Sequence, residues 1–276
     1  MDEPYQKREY DTDGRPVERT LWQKIKQALA PIGVGLLVCF KFLAKLKFLL
    51  PFLKTGGTMI LSIGAYALAW GWEFAVGFVV LLFVHECGHL LAARHFGLKV
   101  GAPMFIPFMG AFIALKEAPR NAWIEAGVGI GGPLLGTLGA VVSEMIYFAT
   151  GNPLYRALAY TGFFLNLFNL APVGFLDGGR VVTALSPWLW LLGFAIMAVF
   201  TGYQFMQHHF NLLLVLILLF SLPRLFSLFR AKTDEEKRYY EVTPLQRWYM
   251  GVTYFGLIAL LVYGMSLTFI SRGDLQ

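Results

Sequence analysis

Charge is scarce in this sequence: Asp, Glu, Lys and Arg make up 14% of its 276 residues, where a soluble domain carries about 25%. So little polar surface cannot clothe a water-exposed globule, and 57% of the chain is hydrophobic. Only the first 28 or so residues and a stretch near 231–247 have soluble composition, which leaves no room for a folded domain outside a membrane. Cysteine is scarcer still. Cys39 and Cys87 both lie within apolar segments, so no disulfide framework is implied. Nor is a signal peptide expected, because MDEPYQKREYDTDGRPVERTLWQKIKQ is too polar and too acidic to be one. It reads as a flexible cytosolic tail, residues 1–28. There is no internal repeat and no low-complexity tract.

What fills the chain is apolar sequence. Residues 29–55 are interrupted by Lys41, Lys45 and Lys47, and an unbroken run of about 12 residues cannot cross a hydrocarbon core of about 30 Å. This segment reads as an interfacial amphipathic helix with snorkelling lysines. Seven candidate spans follow, at 56–72, 74–96, 124–149, 154–173, 187–206, 209–228 and 248–270. With the N-terminus in the cytosol, 21 of the 23 Lys and Arg fall on the cytosolic side, and only Arg156 and Arg272 fall outside. The positive-inside rule supports that orientation. The net charge of +6 is therefore read as a topology signal facing anionic lipid and not as a nucleic-acid footprint. Between the second and third spans, VGAPMFIPFMGAFIALKEAPRN carries Pro103, Pro107, Gly101 and Gly110, with FIALK alternating in the manner of a strand. The expected fold is an all-α polytopic helix bundle of six to seven transmembrane helices with a small membrane-associated β-hairpin or re-entrant loop.

The second span contains His85-Glu86-Cys87-Gly88-His89. Histidines at i and i+4 lie one above the other on a helix face, so both imidazoles can reach one metal ion, while Glu86 points aside as a general base. This is the HExxH pattern, of which composition predicts roughly 0.004 chance occurrences in a chain like this, so accident explains it poorly. Ionisable side chains buried in a bilayer-spanning helix are costly and mark function. A catalytic zinc site needs a third protein ligand. Asp177, in NLAPVGFLDGG, is the best candidate, because the fourth span returns it to the cytosolic leaflet. His89 and His85 lie roughly 10 to 16 Å inside the same leaflet at 1.5 Å per residue. In isolation Asp177-Gly178 would read as a turn.

These motifs resemble the site-2 protease family of intramembrane zinc metalloproteases. HExxH is matched by His85 to His89, and an NxxPxxxLDG-like motif by Asn169, Pro172, Leu176, Asp177 and Gly178. The resemblance covers residues 56–185, the expected catalytic core, with residues 186–276 as C-terminal transmembrane helices. It implies His85, His89 and Asp177 as ligands of one Zn2+, Glu86 as general base and Asn169 as a partner for the substrate carbonyl or oxyanion. Gly131-Gly132-Pro133 to Gly136 looks like the family's small-residue motif, where many members carry Asn at the position of Gly136. Close helix packing is the reading preferred for it. The loop at 100–121 stands where relatives carry membrane-associated strands that present an edge to an unwound substrate. Neither a PDZ nor a CBS domain is expected within these residues.

The expected function is metal-assisted hydrolysis of transmembrane or membrane-tethered proteins near the cytosolic leaflet of a bacterial-type membrane, with no nucleic-acid partner. A zinc protease using a distant Glu as third ligand fits less well, since Glu235, Glu236 and Glu241 lie in cytosolic sequence. A catalytically silent metal-binding scaffold or a transporter is the alternative of another class. Outside the site, Glu144 is expected to pair with a neighbouring helix and Glu125 to favour the positive end of its helix. His95 is expected at the interface, and His208 and His209 on the outer side.

Overall fold

The computed structural model describes residues 55–269 together with Asp13. The rest of the expected tail, and the amphipathic segment except residue 55, lie outside the described residues. Helix α1 runs over residues 55–70. There follow α2 (Trp72–His95), β1 (Met104–Ile106), β2 (Gly110–Phe112), α3 (Ala122–Thr150), α4 (Pro153–Asn169) and α5 (Asp177–Leu185). The chain continues through α6 (Leu189–Met206), α7 (Leu212–Phe226), α8 (Asp234–Tyr239) and α9 (Pro244–Thr268).

Local sequence explains where the helices begin and end. Asn121 caps α3 by accepting from the Ile124 N–H, and Gly151, in the left-handed region at φ 67°, ends it. Asn152 then caps α4, with Pro153 in the first turn, where no donor is lost. Thr243 and Gln246 form a capping box for α9. Pro172 and Gly174 (φ +46°) follow α4, which stops at Asn169 and not at 173 as expected. Pro has no N–H to continue the ladder and disfavours helical geometry in the residue before it. Residues 170–176 are accordingly unwound, and α5 starts afresh at Asp177.

Helix α3 is the hub, packed against α2, α4 and α5. Its contact with α2 is backbone to backbone: a Cβ on Gly88 would lie 2.2 Å from the Gly131 carbonyl oxygen, so only glycine fits there. A buried cluster that includes Ile130, Ala140, Phe163, Val181, Trp190 and Leu257 joins α3, α4, α5, α6 and α9. A second cluster, Tyr66, Ala75, Val79, Leu82 and Phe105, joins α1, α2 and the hairpin.

Among the described residues, α2, α3, α6 and α9 are long and apolar enough to cross a membrane. The six to seven spans expected are thus met in four by length and composition; α4 and α7 have 17 and 15 residues. On α6, Val199 is 74% exposed and Met206 79%, amid Ile196, Phe200 and Tyr203. Apolar surface on that scale demands lipid or a partner. The protein is a mostly helical membrane protein with a small two-stranded sheet.

The hairpin is antiparallel, pairing Met104 with Phe112, Phe105 with Ala111 and Ile106 with Gly110. The strand expected at FIALK is mostly displaced: β2 ends at Phe112, and beyond it only the Val100–Leu115 bridge continues the pairing. Phe108 takes a positive φ of 60° in the turn, where its N–H donates to the Tyr66 hydroxyl (3.1 Å). Contacts with α1 set this register.

Candidate metal centre

His85 and His89 are successive turns of one face of α2, both buried, with ring centroids 4.8 Å apart. Each is fixed by its Nδ1. The Nδ1–H of His89 donates to the Val128 carbonyl at 2.8 Å, an oxygen that can only accept. The Nδ1 of His85 meets Asn166 Oδ1 at 2.8 Å, while Asn166 Nδ2 donates to the Gly162 carbonyl, so the amide oxygen must be the acceptor for His85. Both Nδ1 atoms therefore carry their protons, and both Nε2 atoms present lone pairs.

Asp177 completes the group from the first turn of α5. Its Oδ2 lies 3.1 Å from His85 Nε2 and 3.2 Å from His89 Nε2, and the two Nε2 atoms are 3.1 Å apart. Three electron-pair donors in a nearly equilateral triangle repel unless a cation lies among them. Tetrahedral zinc with ligands at about 2.0–2.1 Å requires donors about 3.3 Å apart. His85, His89 and Asp177 thus form a group able to hold a metal ion.

Glu86, buried beside them, has its Oε2 without a hydrogen-bond partner among the described residues. Glu86, the three ligand candidates and Asn169 all line one cavity of about 1270 Å³. That exceeds the roughly 300–1,000 Å³ of a typical small-molecule pocket. Its wall includes β2 and the following Ile113, and the aromatic side chains of Trp70, Phe74 and Phe78.

Asn166 was not among the candidates read from the sequence. It is 1% exposed and orients His85, yet a single Asn in an apolar helix gives no sign of which helix it meets. Gly136 faces it: a Cβ there would lie 2.2 Å from Asn166 Oδ1. The glycine makes room for an amide supplied by α4. Gly132 serves His89 in the same way, with 2.2 Å between a notional Cβ and Nε2.

The remaining ionisable groups fall elsewhere. Glu144 and Arg156 face each other at 4.0 Å across α3 and α4. Glu125, in the first turn of α3, is held by Arg224 of α7 and by the Tyr239 hydroxyl (2.8 Å). Burial, reinforced by the charge of Glu125, holds the Tyr239 phenol far above its ordinary range, so it stays a donor. His95 is exposed against Phe96, and His208 sits in the turn between α6 and α7.

The model of peptidase family M50 matches residues 73–160, which include the HECGH motif and the glycines of α3. Over that segment the chain is similar to peptidase family M50, the site-2 protease family. The zinc metalloprotease MJ0392 of Methanocaldococcus jannaschii is 31% identical over 130 residues, 45% of this chain and 37% of its own length. The probable chloroplastic zinc metalloprotease EGY2 of Oryza sativa subsp. indica is 29% identical over 147 residues, 37% of this chain and 27% of its own length. The chain thus spans well under half the length of these curated relatives. The match to the family model stops short of Asp177, whose place in the centre rests on geometry.

Proposed function

We propose that this protein is an intramembrane zinc metalloendopeptidase that cuts transmembrane or membrane-tethered proteins near the cytosolic leaflet. The observation that carries this reading is the Nε2, Nε2, Oδ2 triangle with Glu86 beside it in one large cavity. His85, His89 and Asp177 would hold the zinc. A bound zinc supplies Lewis acidity, polarising a peptide carbonyl and bringing the pKa of water towards about 7. Glu86 then accepts a proton from the attacking water and returns it to the departing amine. Asn169, on the cavity wall, donates from its amide to the carbonyl oxygen as charge develops there.

The hairpin supports an extended substrate. Phe105 N–H points away from β2, because it donates to Thr58 Oγ1 of α1 at 3.2 Å. In an antiparallel pair that makes Phe105 and Ala111 the non-hydrogen-bonded pair. The N–H and C=O of Ala111 therefore face outward on the cavity side, and β1 is the edge that α1 covers. An unwound substrate segment can pair with β2. Residues 56–185 form the catalytic core in this reading, and the N-terminus is cytosolic.

Replacing Glu86 with Gln tests the assignment. Cleavage of a membrane substrate, identified by comparing membrane proteomes with and without the active protein, should fall by at least about 100-fold with zinc content unchanged. Undiminished cleavage with zinc retained would remove Glu86 as the base, and a purified protein without zinc would remove the metalloprotease reading.

A further inference from the structure

We propose that Arg224, on α7, is a positioning residue for the metal centre, holding together the two supports on which the ligand triangle rests. This rests on reading His85, His89 and Asp177 as zinc ligands. The first support is the unwound stretch 170–176 that delivers Asp177. Backbone outside a helix must find partners for its carbonyls where water is excluded. The Leu170 carbonyl accepts from the Tyr254 hydroxyl (2.6 Å), Ala171 from the Val173 N–H (2.8 Å) and Val173 from the Leu176 N–H (3.0 Å). The Gly174 carbonyl accepts from Arg224 Nη1 at 2.9 Å. The approach is close: Gly174 has a positive φ, and a Cβ there would lie 2.0 Å from Ser221 Oγ of α7.

The second support is the start of α3. Arg224 Nη2 bonds Glu125, three residues before Val128, whose carbonyl fixes the His89 ring. The same Nη2 lies 3.1 Å from Thr183 Oγ1, which donates to the Gly179 carbonyl in the first turn of α5. Trp190 donates to that carbonyl too, and its ring lies 4.6 Å beneath the guanidinium carbon. One planar cation thus ties the His89 side of the centre to the Asp177 side. Arg suits the task because its fork meets three acceptors at once, whereas Lys offers a single point of charge. The matched family segment ends at residue 160, so Arg224, Gly174 and Thr183 lie beyond it, while Glu125, at the other end of the tie, lies within it.

The test uses the full-length protein in detergent micelles. Zinc affinity is measured by chelator competition, the ligand field by absorption of the cobalt-loaded protein, and folding by thermal melting without metal. Arg224→Gln should weaken zinc binding about 10- to 100-fold, the range for groups that orient metal ligands. It should also alter the cobalt spectrum, with Arg224→Lys falling between. A Gln variant with parental affinity and spectrum would overturn the proposal, even if its melting temperature fell, since Arg224 would then be structural only. If the Gln variant fails to fold, the Lys variant decides on the same two measurements. A parent protein that binds no zinc overturns both this proposal and the metalloprotease reading. A zinc-binding parent with unaltered variants overturns this proposal alone.

Discussion

Two imidazoles are able to serve as metal ligands here because each ring has one nitrogen already committed. The Val128 carbonyl and the Asn166 amide oxygen take the Nδ1 protons, which leaves both Nε2 atoms as donors of lone pairs. Replacing Asn166 with Leu keeps the volume and removes the acceptor, leaving the buried His85 N–H without a partner at a cost of about 1–3 kcal/mol. Zinc affinity should drop about 10- to 100-fold by chelator competition, with His89 still held. Unchanged affinity would show that the ring needs no such support. His85, Glu86 and His89 were legible because an i, i+4 spacing is a local fact that any helix turns into geometry. Asn166 was not legible, because its meaning depends on facing His85 across an interface where Gly136 leaves the space.

Secondary-structure elements deliver these side chains through the places where regular structure stops. Pro172 and Gly174 end α4 and let the chain re-enter as α5 with Asp177 in its first turn, a break visible in sequence though placed a few residues too late. The hairpin was legible in kind and not in register. Its strands are only three residues each, and α1, through Thr58 and Tyr66, fixes which backbone groups point outward. Ala111 offers the open edge, so Ala111→Pro removes an outward N–H without touching the ligands. Substrate cleavage should fall about tenfold or more with zinc content intact, whereas full activity would exclude β2 as the docking edge.

At the scale of the whole molecule, the proposed orientation and site depth rest on charge and apolar length. A reporter active only in the cytosol should work when fused after Lys99 or Lys232 and fail after Gly151 or His209; the reverse pattern would invert the topology. The scarcity of charge by itself determined a membrane protein, and the HECGH spacing by itself determined two histidines on one helix face with a glutamate beside them. Both are properties of composition or of a single helix, which need no knowledge of neighbours. Only the tertiary structure decided that Asp177 meets those histidines, that Asn166 and Val128 set their tautomers, and that Arg224 joins the segments carrying them. Those contacts span 39 to 99 positions along the chain, and long-range pairing is set by how helices pack, not by any local pattern of residues.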